Sequence, residues 1–234
     1  MRKLFLATVA ICAVTSFGAV GDRPGKLSGK PSSPILVAAL TGHAGRVYLL
    51  GTDGRIIWEQ TGCGNIHCVR LSKGKLFYSN GRLWRVDEPG RTAAKCIYDP
   101  TPDAHNAKFP DGEGVYGFDV LETGNLLVAE NGTDFLAEVT VDGKVVRRFK
   151  GNVSDAAGKV NPDHHHHYRM CRATASGNWI ACCSGAGIVR EFDTFQNGLL
   201  VSAINVGELA FDAYKRPNGN TMVSHLSADR TSVV

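Results

Sequence analysis

From Ile35 onward the chain alternates short apolar runs with glycine-centred breaks. Four segments share one pattern: NIHCVRLSKGKLFYSN (65–80), VYGFDVLETGNLLVAEN (115–131), RMCRATASGNWIACCS (169–184) and FDAYKRPNGNTMVSH (211–225). Each is an apolar-containing stretch, a glycine turn and a second apolar stretch. The turn glycines Gly74, Gly124, Gly177 and Gly219 stand 50, 53 and 42 residues apart. A second landmark recurs further along each unit, at Asp53-Gly54, Pro89-Gly90, Asp142-Gly143 and Asn197-Gly198. These dipeptides lie between strand-like runs such as VYLLGTDGRIIWE (47–59) and LAEVTVDGKVVRRF (136–149). Asp-Gly and Asn-Gly supply the positive φ angles of two-residue hairpins. Each unit therefore reads as strand A, a glycine turn, strand B, a loop, strand C, a hairpin and strand D. In the second unit, strand A covers about Ile66–Leu71 and strand B Lys75–Ser79. No stretch holds the helical period long enough to compete.

Four-strand units repeating every 40–50 residues are the signature of propeller blades. The expected fold is all-β, a β-propeller of four-stranded antiparallel blades with about five blades visible. The strands around Val69, Val120, Cys171 and Ala213 are expected innermost. The first unit, Ile35 to about Glu59, offers strands B, C and D without A. The last begins at Leu209 and reaches strand C by Val234. Two readings of this count stand open: part of a six-bladed ring, or an irregular ring.

The pattern L-x-x-G-N-x-L-V-A at 121–129, followed by V-x-x-D-G-K-V-V at 139–146, resembles bacterial exported propellers with pyrroloquinoline-quinone-like repeats. It is similar also to NHL-type and arylsulfotransferase-type propellers. The resemblance spans about Ile35 to Val234. It implies architecture strongly and activity weakly, because propellers host binding scaffolds, hydrolases, lyases, transferases and redox enzymes alike.

The N-terminus changes the picture. Arg2 and Lys3 precede an apolar stretch from Leu4 to about Val14, and Ser16, Gly18 and Ala19 follow as a cleavage region. Residues 1–20 read as a signal peptide, 21–34 as a flexible leader and 35–234 as the propeller domain. The expected location is exported, periplasmic or extracellular, with no transmembrane segment after signal removal. The net charge of +4 contains no basic run longer than Arg147-Arg148, so nucleic acid is not an expected partner. Six cysteines remain after the signal (Cys63, Cys68, Cys96, Cys171, Cys182 and Cys183), enough for disulfides in an oxidising compartment.

Candidate chemistry falls on the loops and strand ends of one face. The D-to-A loops Asp99–Glu113 and Gly151–His167 are long. Asn80, Glu130-Asn131, Cys183-Ser184 and His225 end strand B at equivalent positions. Asn80, Glu130, Asn131, Tyr168 and His225 are the candidate ligand-binding residues, with Tyr116, Tyr168 and Phe211 as aromatic walls. The run His164–His167 suggests a Zn or Cu site, with His166 and His167 nearest the face and Asp163, His105, Glu130 or His225 completing the set. A solvated loop is the competing reading. Cys182-Cys183 reads as two small apolar residues on opposite strand faces, and pyrroloquinoline quinone is not an expected cofactor. Arylsulfotransferase-like chemistry would need a histidine and sulfate-gripping arginines, for which His67 and Arg169, each opening a strand A, are the catalytic candidates. The expected role is a ligand- or partner-binding scaffold for a small molecule, a carbohydrate or a protein. A propeller enzyme, transferase-like or quinone-dependent, is the alternative.

Overall fold

The computed structural model describes residues 33–39, 45–101, 114–163, 166–207, 209–226 and 231–233. The expected signal peptide, nearly all of the leader, His105, His164 and His165 lie outside the described residues. Eighteen strands are seen among them. The first sheet contains β1 (Ile35–Ala39), β2 (Arg46–Leu50) and β3 (Ile56–Gln60). Next come β4 (Cys68–Ser72), β5 (Lys75–Ser79), β6 (Leu83–Val86) and β7 (Lys95–Tyr98). The third sheet is β8 (Gly114–Val120), β9 (Leu126–Asn131), β10 (Phe135–Val139) and β11 (Val145–Lys150). The fourth is β12 (Cys171–Ala173), β13 (Trp179–Cys183), β14 (Ile188–Asp193) and β15 (Leu199–Asn205). The last is β16 (Leu209–Lys215), β17 (Thr221–Leu226) and β18 (Thr231–Val233). Each sheet follows chain order. The chain divides into two compact units, residues 1–80 with 85–95, and 81–84 with 96–234, and the boundary falls within the second sheet.

Three full four-stranded sheets and two three-stranded ones match the strand count read from the sequence. The β2–β3 turn holds Asp53-Gly54, so β1 is a strand B and the first sheet lacks a strand A among the described residues. The last sheet holds A, B and C. The second strand of each full sheet is its most buried. LLVAEN in β9 and WIACC in β13 are buried along their whole length, as in a strand covered on both faces. The fourth strands face outward: β15 is exposed at every residue.

In the second unit consecutive sheets pack face to face. Leu127, Ala129 and Leu136 of the third sheet meet Cys171, Trp179, Ala181 and Phe192 of the fourth in one core. There Phe149 stacks on Trp179, with ring centroids 5.1 Å apart. The fourth sheet presents Ile180, Cys182 and Val189 to Ala210, Ala213 and Val223 of the fifth. Cys182 and Cys183 thus sit in two different cores, as alternate strand faces require. All six described cysteines are free thiols, five of them buried. One hairpin shows how the sequence fixes this stack. Asn197 and Gly198 both adopt left-handed φ, 52° and 81°, and a Cβ on Gly198 would strike the ring of Phe149.

Candidate functional site

Strand register defines which residues are equivalent. Val69 pairs with Tyr78, Phe118 with Val128, Cys171 with Ala181 and Ala213 with Val223, each on the first two strands of its sheet. Phe118, rather than Val120, is the equivalent of the other three. Two residues earlier in each first strand stand His67, Tyr116, Arg169 and Phe211.

Each of these four residues lies in a β-bulge. Tyr116 and Gly117 together oppose Ala129, between the pairs Val115–Glu130 and Phe118–Val128. Phe211 is the extra residue between Ala210–His225 and Asp212–Ser224. Arg169 donates its backbone N–H to Cys182 O at 3.0 Å while Cys182 N–H bonds Met170 O at 2.9 Å, so two residues oppose Cys182. His67 N–H donates to Ser79 O at 2.8 Å although Ser79 already pairs with Cys68. A bulge leaves one residue out of the ladder and re-aims its side chain.

Within the second unit three of these residues converge. Strand β12 adjoins β8 on one side and β16 on the other. The Arg169 guanidinium lies over the Tyr116 ring at 6.0 Å and over the Phe211 ring at 5.7 Å. Gly117 makes the approach possible, because a Cβ there would run into the Arg169 carbonyl and the Met170 Cα. Tyr116 is buried; Arg169 and Phe211 are partly exposed. Arg169 Nε is shut off from solvent and has no hydrogen-bond partner among the described residues. Burial depresses the Arg169 pKa, with Tyr116 and Asp163 working in the opposite direction.

The segment entering β12 is pinned from two sides. Asn131, at the end of β9, accepts from Tyr168 N–H at 2.7 Å and donates through Nδ2 to Tyr168 O at 3.2 Å. His167 is buried between Asp134 Oδ1, 2.5 Å from Nδ1, and Asn161 O, 2.7 Å from Nε2. Both ring nitrogens face acceptors, so both carry hydrogens and the ring is an imidazolium. Burial opposes that charge, but the Asp134 and Asn161 contacts outweigh it and hold the pKa above the usual histidine value. Asp134 sits at φ 63°, a left-handed conformation at the β9–β10 turn.

The other candidates take these places. Glu130 is fully buried and accepts from Tyr98 Oη at 2.6 Å, Thr133 Oγ1 at 2.6 Å and, bidentately, from Arg148 at 2.5 and 3.1 Å. Tyr168 is wholly buried in the core between the third and fourth sheets, its hydroxyl against Gly151. His225 is buried opposite Ala210. His166 is half-buried, with Nε2 3.4 Å from Asp163 Oδ2. In the first unit, Asn80 Nδ2 donates to Cys63 O at 2.9 Å, and His67 holds the bulge of its own sheet. Among the described residues no group of three or more His, Cys, Asp or Glu is arranged to hold a metal ion. No helix among them is long and apolar enough to cross a membrane.

Solved structures place this architecture. A protein of unknown function from Bacteroides caccae superposes with a TM-score of 0.61 at 20% identity, covering 87% of this chain and 73% of its own. The WD40 β-propeller domain of Doa1 matches with a TM-score of 0.55 at 14% identity, over 85% of this chain and 61% of its own. The fold is a β-propeller. Virginiamycin B lyase from Staphylococcus aureus is similar too, with a TM-score of 0.53 at 12% identity, over 86% of this chain and 69% of its own. No family model and no curated protein matches the sequence. Identities this low carry the fold alone. Asn131, Glu130 and His167 are engaged in hydrogen bonds within the fold and Tyr168 is buried in its core, while Tyr116, Arg169 and Phe211 stand at the bulges.

Proposed function

We propose that this chain is an exported ligand-binding propeller module, and that its second unit binds through the bulged starts of β8 and β16 and the bulge leading into β12. One observation carries the reading. Arg169 is a half-buried guanidinium set against Tyr116 and Phe211 with no acidic hydrogen-bond partner among the described residues, its segment held by the Asn131 clamp on the Tyr168 backbone and by the buried His167–Asp134 pair. Bulges beside binding sites re-aim side chains, and rigid strand ends position them better than loops do. Export rests on the Arg2-Lys3 start, the apolar stretch and the small residues after it.

The binding reading is tested by a thermal-shift screen of sugars, short peptides and small acids on the wild type and on Arg169→Gln and Phe211→Ser. A true ligand raises unfolding free energy by mass action, about 2.7 kcal/mol at a hundredfold excess over Kd, in the wild type. Hits that persist unchanged in both variants would remove this site from the proposal. N-terminal sequencing of secreted material checks export, with a start expected between about residues 17 and 24.

A further inference from the structure

We infer that the Arg169 site takes a carboxylate borne on a flat, apolar body. This rests on the binding reading above and names its ligand class.

Among the described residues, the other partly or fully buried arginines of the second unit are all paired. Arg147 meets Glu138 at 2.7 Å, Arg82 meets Asp99 at 2.9 Å and Arg172 grips Asp212 at 2.9 and 2.5 Å. Arg148 is bound bidentately by Glu130, and the buried Arg190 donates to the carbonyls of Asn152 and Ser154. Every one of these partly or fully buried guanidiniums has an oxygen acceptor. Arg169 has two aromatic rings and no oxygen acceptor among the described residues. Two ring faces at about 6 Å offset little of the cost of stripping water from a guanidinium. Asp212, next to Phe211, is already taken by Arg172, and Glu191 by Lys215.

What Arg169 lacks is a planar oxyanion. A guanidinium presents parallel N–H donors that fit a carboxylate bidentately. A single cation flanked by rings suits a monoanion better than a phosphate, which as a dianion usually recruits several cations or a row of backbone N–H groups. The rings set the rest of the ligand. Tyr116 and Phe211 come from the two sheets flanking β12, so a carboxylate docked on Arg169 has its body against an aromatic side chain, Phe211 being the more open of the two. Offset stacking there adds apolar burial that a small hydrated anion cannot supply.

Calorimetric titration of the folded chain with 2-naphthoate, 2-naphthylmethanol and acetate separates the terms. Naphthoate should bind at least tenfold more tightly than either other probe. Arg169→Gln should reduce its affinity at least tenfold with the circular-dichroism spectrum unchanged, and Phe211→Ser should reduce it similarly. Arg169→Lys should recover part of the loss, since a point charge replaces the fork. Equal binding of naphthylmethanol and naphthoate, both lost in Phe211→Ser, would overturn the carboxylate and leave the binding site standing. Equal binding of acetate and naphthoate would overturn the apolar body. Naphthoate binding indifferent to Arg169 and Phe211 would overturn the site itself, as would a wild type that binds no probe and shows no hit in the thermal-shift screen. Failure of all three probes beside a screen hit sensitive to Arg169 would overturn the ligand class alone.

Discussion

Replacing His167 by alanine tests the support beneath Arg169. The ring is almost wholly buried, 3% exposed, and its partner Asp134 is 15% exposed. Removing one member of a buried ion pair strands the other and costs about 3–5 kcal/mol when both are dry. Asp134 keeps some contact with water, so we expect about 2–3 kcal/mol for His167→Ala. In a domain of this size each kcal/mol moves Tm by about 2–4 °C, so the midpoint should fall by about 4–12 °C. The sign with pH follows from the raised folded pKa. A group whose pKa rises on folding stabilises fully below its unfolded pKa, about 6.5, and loses that contribution as pH climbs through the folded value. The gap between wild type and His167→Ala should therefore be widest near pH 6 and narrow as the solution becomes alkaline. Differential scanning calorimetry between pH 5.5 and 9 reads it directly. A gap that is constant, or that widens with pH, would refute the imidazolium assignment. His167→Gln can still donate to one acceptor without charge, so its Tm should show less of this pH dependence.

Three further outcomes follow from the packing. Phe149→Ala removes the ring stacked on Trp179 and near Phe192, and should cost about 3–5 kcal/mol in denaturant unfolding. Gly198→Ala adds a methyl group that meets the same ring at a left-handed φ, and should lower Tm while Gly219→Ala, with open space around it, costs only the backbone strain. Iodoacetamide should label Cys96 first of the six described cysteines in the native protein, since the other five are buried and burial pushes the Cys63 and Cys183 thiols up to about 11.

The fold was legible because its punctuation is local. Gly54, Gly143 and the Asn197-Gly198 pair mark hairpins by conformational necessity, and β5 matches the expected Lys75–Ser79 at both ends. Strand A of the second sheet was expected at Ile66–Leu71 and runs Cys68–Ser72, because the bulge at His67 interrupts the ladder before it reaches Ile66. The polar ends of strand B offer ligand chemistry by residue type alone. Sequence shows that Glu130 is charged; it does not show that Tyr98, Thr133 and Arg148 converge on its carboxylate from residues 32, 3 and 18 positions away. The same holds for His167, whose partner Asp134 lies 33 residues earlier.

The candidate site is half visible in the sequence. Tyr116 and Phe211 stand out as aromatic walls and Arg169 as the opening of a strand, and only the spacing from the turn glycines joins them. Counting back from the turn glycines puts Tyr116, Arg169 and Phe211 at one position and adds Ile66 in the second sheet. The hydrogen bonds put His67 there instead. Ser72 pairs with Lys75 across a turn of Lys73 and Gly74, whereas Leu121 reaches Asn125 across one residue more. A turn shorter by one residue slides the whole first strand by one, and a slip of one exchanges the two faces of a strand. This row of equivalent residues is thus defined by the register of each sheet and by its bulge, and a glycine count recovers it only where the turns are equally long. Histidine at that place in the first unit and arginine at the same place in the second are then products of one structural position. Substituting His67 alongside Arg169 in the naphthoate titration would show whether that position carries ligand recognition in both units or in the second alone.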